Sequence, residues 1–265
     1  MQKLPKANKE LGQHFLKDQN VISKITHDWF KECDVIVEVG PGPAILTKKL
    51  AAHNKPLYLI EKDLRFKELL LECVSEKNLY LEDALNFDWN HFIQTENLDK
   101  KKIWLVSNLP YNVGTLLFVQ FLQIQQIHYM SLMFQKEVGD KTYLGQQKNQ
   151  LNGLLTLSLN YFQSKRLIKV PPGCFSPPPK VDSVVVSYER MTNPLVTIDH
   201  FEQFNQFTRL VFSQRRKQLQ SVLKGHFSID LLHESLTTLK ISPQIRAEAL
   251  NFDQVMALYH SLHQN

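Results

Sequence analysis

The sequence predicts an open α/β sheet followed by a smaller all-α domain. Three observations carry this. Short apolar runs at Val35–Val39, Leu57–Ile60, 79–81, 103–106 and 127–134 alternate with helical patterns, the rhythm of βαβ units. A glycine turn, Gly40-Pro41-Gly42, joins the first run to a helix. From Asp199 onward only amphipathic helical patterns remain, at 201–223, 231–240, 243–250 and 253–263. The composition changes near 190–196, around Thr192-Asn193-Pro194, which places the domains at 1–190 and 191–265.

With 265 residues, 43% hydrophobic and 22% charged, the chain can bury a substantial core. Apolar runs fall short of the ~18 residues a membrane span needs, and the start lacks a signal-peptide core. A cytoplasmic protein with no membrane partner is expected. Cys33, Cys73 and Cys174 have no paired spacing, so neither a metal site nor a disulfide framework is expected. A net charge of +5 suits a polyanionic partner without requiring one.

In chain order, Lys3, Lys6 and Lys9 stand against the single acid Glu10. Such an arm either lies on a phosphate backbone or is a solvated terminus. Leu11-Gly12-Gln13-His14-Phe15-Leu16 then precedes an amphipathic helix over 18–30. The first long strand, Val35–Val39, runs into the glycine turn, where backbone can approach a ligand closely. As a dinucleotide fingerprint the turn fails: Ile45 stands where a third glycine would, and Pro43 lacks an N–H for a pyrophosphate. A nucleoside cofactor without a pyrophosphate remains compatible.

The second strand ends in Glu61, about 20 residues after the turn, the separation at which an acid accepts from ribose hydroxyls. The third ends at Glu82-Asp83-Ala84, with Asp83 placed for a donor such as an adenine amine. The fourth strand is followed by Asn108-Leu109-Pro110-Tyr111. There Asn108 either caps the helix predicted over 113–125 or serves a site, since ligands bind at the carboxyl ends of such strands. Residues 135–162 read as helical, interrupted by a polar loop at 145–148. Residues 167–170 lead into a stiff loop with five prolines between Pro171 and Pro179, which fixes Phe175 and Lys180 near the end of the sheet. Phe175 there either packs under the loop or faces the site. A last strand covers 181–188, and Ser213-Gln214-Arg215-Arg216-Lys217 is either a solvated helix face or a phosphate clamp.

A glycine turn, a ribose acid and an adenine acid in that order fit S-adenosylmethionine better than NAD. Beside a methyl sulfonium, Asn108 and its neighbours suit an exocyclic base amine, a poor nucleophile whose lone pair is delocalised into the ring. Acceptors on its N–H groups favour a more tetrahedral nitrogen aimed at the methyl. The Asn108 side-chain oxygen and the Leu109 carbonyl are two such acceptors, Pro110 offers no competing N–H, and Tyr111 can stack on the base. A base inside a duplex cannot reach this position, so the target is single-stranded, looped or flipped out.

Together, Leu11 to Leu16, Glu38-Val39-Gly40-Pro41-Gly42, Asn108 to Asn112, Gln135-Lys136-Glu137-Val138, Phe175 with Pro177 to Ser183, Ser213 to Lys217 and Arg246-Ala247-Glu248 span nearly the whole chain. In that order they resemble the bacterial small-subunit rRNA adenine dimethyltransferases, which have a Rossmann-like class I methyltransferase sheet. The resemblance implies dimethylation of two adjacent adenosines in a hairpin loop near the 3′ end of 16S rRNA, on an immature 30S subunit, by a monomer using S-adenosylmethionine. Its implied cofactor set is His14, Leu16, Gly40, Gly42, Glu61, Asp83, Ala84 and Asn108. The implied catalytic set is Asn108, Leu109, Pro110, Tyr111 and Phe175, with Tyr111 and Phe175 sandwiching the adenine. Lys180, Arg215, Arg216 and Lys217 are the implied rRNA contacts, in part through the helical domain. Family members commonly carry Asn where His14 stands, and leucine and glycine where Pro43 and Ala44 stand, which implies a narrowed methionine end of the cofactor site. A macrolide-resistance type large-subunit rRNA methyltransferase and a ribosome assembly factor with secondary methylation are the alternatives.

Overall fold

The strands that organise the first unit are near-continuous apolar runs, the composition of parallel strands covered on both faces. The computed structural model describes residues 7–8, 12–145, 151–214 and 216–263. Its strands are β1 (Phe15–Leu16), β2 (Val35–Val39), β3 (Leu57–Ile60), β4 (Leu79–Tyr80), β5 (Ile103–Asn108), β6 (Ile127–Gln135), β7 (Phe162–Val170), β8 (Phe175–Ser176) and β9 (Ser183–Arg190). Seven of them form one sheet in the order β4-β3-β2-β5-β6-β9-β7. Pairing is parallel from β4 through β6 and antiparallel between β6 and β9. The chain moves outward from β2 to β3 on one side and returns to β5 on the other. That reversal makes the carboxyl ends of β2 and β5 the natural place for a ligand.

The helix Gln19–Thr26 illustrates how local sequence and packing agree. Asp18 accepts from Val21 N at 2.9 Å as its N-cap, and Val21, Ile22 and Ile25 are buried in a core cluster with Ile36, Leu59 and Trp104. The indole N–H of Trp104 donates to Ser131 Oγ at 2.9 Å, and Ser131 donates to Asp28 at 2.7 Å. A polar chain thus satisfies the one donor that this large core side chain carries.

The chain divides into two compact units, Met1–Tyr143 with Gln163–Arg190, and Leu144–Phe162 with Met191–Asn265. One crossing therefore falls at the expected 190/191 junction, whereas 144–162 groups with the C-terminal helices. Packing within the second unit accounts for this. The helix Gly153–Tyr161 lies against Phe201–Val211, where a Cβ on Gly153 would sit 3.4 Å from the Thr208 carbonyl. Asn160 brackets Val196 with two hydrogen bonds of 2.9 and 3.0 Å, and Tyr161 packs on Phe201.

The predicted helix over 201–223 is two helices, Phe201–Val211 and Leu219–Leu223, with exposed Arg216 and Lys217 in the turn between them. Residues 243–250, expected helical, form a turn at Pro243-Gln244, an isolated bridge at Arg246 and a single 3-10 turn at Ala247–Ala249. Their carbonyls are drawn into pairing, Leu219 N donating to Ile245 and Gln220 N to Pro243.

Candidate active site

A cleft opens at the carboxyl ends of β2, β3, β4 and β5, with about 1210 Å³ of empty space counted out to its open mouth. Of the predicted residues, it is lined by His14, Leu16, Gly40, Gly42, Glu61, Asp83, Ala84, Asn108, Leu109, Pro110 and Tyr111. The glycine turn forms its floor. Gly40 has φ +67° and Gly42 φ +52°, a region costly for residues with a side chain. A Cβ added to Gly40 would meet nothing within 4 Å, so the backbone there is bare to an incoming group.

Glu61, buried at the end of β3, accepts from Gly42 N at 2.9 Å and from Asp63 N at 2.7 Å. Each oxygen keeps a second acceptor site for a ligand. Burial raises its proton affinity, partly offset by these backbone donors. Asp83 accepts from Lys62 Nζ at 2.6 Å and from Leu85 N at 3.1 Å. The Lys62 ammonium holds the Asp83 carboxyl below its ordinary value.

Among the lining residues outside the predicted set, Glu38 has an unusual environment. Glu38 interrupts the apolar run of β2, lines the cleft and is 2% exposed. Among the described residues its Oε2 has no hydrogen-bond partner, and neither has Thr47 Oγ1. Burial pushes the Glu38 carboxyl up to about 8, against a partial pull from the Thr47 hydroxyl and with a further push from Glu61. The available signal was a charge inside an otherwise apolar strand that feeds a glycine turn.

Asn108 is the last residue of β5 and caps no helix. The following helix, Gly114–Gln123, starts after Val113 without a side-chain cap. Asn108 Nδ2 donates to the His14 carbonyl at 3.1 Å. A carbonyl can only accept, so this contact fixes which way the amide faces and leaves Oδ1 turned elsewhere. Among the described residues neither Asn108 Oδ1 nor the Leu109 carbonyl takes a protein donor. The Leu109 N–H bonds Met133 O at 3.2 Å, tying the motif to β6. The Tyr111 hydroxyl lies 2.7 Å from Ser183 Oγ at the start of β9, and burial pushes the phenol up.

A strap brings the N-terminal motif to the cleft. β1 pairs with β8, Phe15 opposite Ser176 and Leu16 opposite Phe175. Gln13 Nε2 donates to Asp63 at 2.8 Å, and His14 Nδ1 lies 2.8 Å from the Pro177 carbonyl.

Three groups of expected residues lie away from the cleft lining. Phe175, expected to face Tyr111 across a base, is 1% exposed, belongs to the core cluster that also holds Leu16 and Val170, and is not among the residues that line the cleft. Its backbone pairing with Leu16 turns the ring into the core. Ala44 does not narrow the cleft: it sits at φ +60°, fully buried, and only Pro43 beside it lines the space. Lys180, Arg216 and Lys217 are exposed and do not line the cleft, and Arg215 lies outside the described residues.

Asp83, the acceptor oxygens of Glu61 and the buried carboxyl of Glu38 beside a bare glycine backbone suit a donor-rich nucleoside such as S-adenosylmethionine, with its ribose diol and amines. The family described as Ribosomal RNA adenine dimethylase matches residues 4–264. The chain belongs to that family. It is an rRNA adenine dimethyltransferase with S-adenosylmethionine as its methyl donor. Among relatives of this dimethylase, "Ribosomal RNA small subunit methyltransferase A" of Caldanaerobacter subterraneus subsp. tengcongensis is 35% identical, over 97% of this chain and 98% of the relative. Its namesake in Halothermothrix orenii is 32% identical, over 97% and 88%. Two solved structures share the fold of the dimethylase. A dimethyladenosine transferase from Plasmodium falciparum superposes with TM-score 0.73 at 22% identity, over 92% of this chain and 96% of that one. The 23S rRNA methyltransferase ErmE superposes with TM-score 0.69 at 21% identity, over 94% and 99%. The sheet is thus a Rossmann-like class I methyltransferase sheet.

Proposed function

We propose that this dimethylase modifies the exocyclic amines of two adjacent adenosines in the 3′-terminal hairpin loop of 16S rRNA. It acts on the immature 30S subunit, as a monomer in the cytoplasm. The small-subunit assignment is supported by relatives of that name at 32% and 35% identity, against 21% for the large-subunit ErmE. No helix among the described residues is long and apolar enough to cross a membrane. Residues 1–190 carry the cofactor site and chemistry in this reading, and 191–265 grip rRNA, with Lys180, Arg216 and Lys217 among the phosphate contacts.

The observation that carries the mechanism is the pair of acceptors without protein donors among the described residues, Asn108 Oδ1 and the Leu109 carbonyl, on consecutive residues at the end of β5. S-adenosylmethionine, when bound, supplies an electrophilic methyl group on a sulfonium. Asn108 and Leu109 accept the two N–H bonds of the adenine amine, which localises the nitrogen lone pair and orients it. Pro110 presents no donor to compete. Tyr111, anchored through its hydroxyl to Ser183, offers its ring face to the base. Glu61 holds the ribose diol and Asp83 the cofactor's adenine amine.

The test is Asn108→Ala assayed on 30S subunits that lack the modification. Methyl transfer is expected to fall by at least about 100-fold, the scale of removing one preorganised polar contact to a reacting group, while 30S binding persists. Full transfer by the variant would sink the mechanism. Methylation of naked large-subunit RNA but not of 30S subunits would overturn the substrate assignment.

A further inference from the structure

Asp63 does not line the cleft, yet it is 7% exposed and its carboxylate is met by donors from two directions. From its own turn, Arg65 donates to Oδ1 through its backbone N at 3.2 Å and through Nε at 2.8 Å, and Arg65 Nη2 reaches Oδ2. From the strap, Gln13 Nε2 donates to Oδ2 at 2.8 Å. These donors, Arg65 foremost, hold the Asp63 carboxyl below its ordinary value. The Gln13 amide is not free to turn round, because its Oε1 accepts from Asn8 N at 2.9 Å. Next to this bond Phe15 sets its ring edge-on to the buried Phe66, with centroids 6.0 Å apart. The backbone of Asp63 works in the other direction, its N–H donating to Glu61 at 2.7 Å. One residue beyond Gln13, the His14 carbonyl takes Asn108 Nδ2. Asp63 therefore stands between the acid that ends β3 and the strap that sets the Asn108 amide.

We infer that Asp63 and Gln13 form a latch that fastens the strap to the end of β3, making Asp63 a positioning residue for methyl transfer. The inference rests on the proposed reading of Asn108 as an acceptor for the target amine. Asp63 touches neither the target base nor the reacting methyl in this reading. It acts through Gln13 on the His14 carbonyl, and through that carbonyl on which atom Asn108 presents. The latch reads donors against acceptors. An amide at position 63 would set its Nδ2 against Gln13 Nε2, and a flip of Gln13 to relieve this would set Nε2 against Asn8 N. A carboxylate at position 13 would oppose that of Asp63. Both changes made together restore one amide and one carboxylate, with the bond running the other way. Asn8 N then still meets an acceptor, and Arg65 Nη2, already 3.4 Å from Gln13 Oε1, meets a carboxylate there.

The test compares Asp63→Asn, Gln13→Glu and the two together in the full-length protein. The single-turnover rate of methyl transfer to unmodified 30S subunits is measured across S-adenosylmethionine concentrations up to saturation. S-adenosylhomocysteine affinity is measured by calorimetry, and a thermal melt establishes folding. Each single change should lower the rate at saturating cofactor by about 10- to 100-fold, the scale of misplacing a group that positions the reactants. Each should also weaken S-adenosylhomocysteine by about 3- to 10-fold, the net scale of one hydrogen bond, since the strap lines the cleft. The double variant should recover most of both losses, the non-additivity expected of two side chains in direct contact. Wild-type rates in both single variants with only the melt lowered would overturn the inference and leave the pair a structural contact. So would a loss that saturating cofactor fully restores, or a double variant no better than the worse single one. Failure of the unaltered protein to methylate 30S, or full transfer by Asn108→Ala, would instead remove the proposed function, a result separable from each of these.

Discussion

Glu38→Gln tests whether the floor of the cleft holds an uncharged acid. In the folded protein this carboxyl is pushed up from 4.5 to about 8 by burial, with Oε2 unpartnered. Between those two values the folded state binds the proton and the unfolded chain does not. Stability from this group is therefore fully present below about pH 4.5 and is lost as pH rises towards 8. The slope is about 1.4 kcal/mol per pH unit for one proton, so raising pH from 5 to 7.5 should cost on the order of 3 kcal/mol. Gln fills nearly the same space and does not titrate. Urea unfolding of both proteins, followed by the fluorescence of the three tryptophans, gives the two stability curves at pH 5, 6 and 7.5. Their difference cancels the contributions of Asp28 and of other groups that are not coupled to Glu38; Glu61, which is coupled to it, adds to the difference. It should change by about 3 kcal/mol across the range, the parent losing ground as pH rises. Curves that stay parallel within about 1 kcal/mol would mean that Glu38 is ionised in the fold, solvated or paired in a way the geometry does not provide.

Asp83→Ala should weaken S-adenosylmethionine binding by about 10- to 100-fold, as expected for losing a hydrogen bond to a charged group. Lys62→Met, which frees Asp83 from a half-exposed ion pair worth at most about 1 kcal/mol, should change affinity by no more than about fivefold; calorimetry reads both. Ser131→Ala strands the Trp104 indole N–H and removes a donor from Asp28, so it should cost about 1 to 3 kcal/mol in urea unfolding with no loss of cofactor affinity. Replacing Arg216 and Lys217 together by Ala should reduce the slope of log affinity for 30S against log salt by about 2. An unchanged slope would remove these residues from the rRNA contact.

The parallel strands were legible because each is an apolar run buried on both faces, and β2 and β3 match the expected bounds. β7 was read only at its end. It lies at the edge of the sheet, where Gln163, Lys165, Arg166 and Lys169 face water and dilute the apolar signal. The grouping of 144–162 with the second unit was invisible, since an apolar helix does not say which neighbour it will cover. The cleft residues were legible because strand ends and a glycine turn are local features. The burial of Phe175 was not legible for the opposite reason: a proline-rich loop fixes where a ring is held, whereas the pairing of β8 with a two-residue strand far upstream is a non-local feature. Glu38 was read only as the first residue of the motif that runs to Gly42 and not as a site residue, because a strand pattern does not say that a charge within it will line a cleft.

The motif at the end of β5 is therefore only part of the device that it identifies. Asn108 could present either its oxygen or its nitrogen to a base, and only the oxygen polarises an amine in the required sense. That choice is made by the His14 carbonyl, 94 residues away in sequence, which accepts Nδ2 and turns Oδ1 free. The anchoring comes from a backbone group, so it survives any side chain at position 14. The side chain is thereby released to take another part. A histidine there can stack on Tyr111 and hold Pro177 without disturbing the amide, whereas a change that moved the strap, such as loss of the Gln13 bond to Asp63, would reach Asn108 directly.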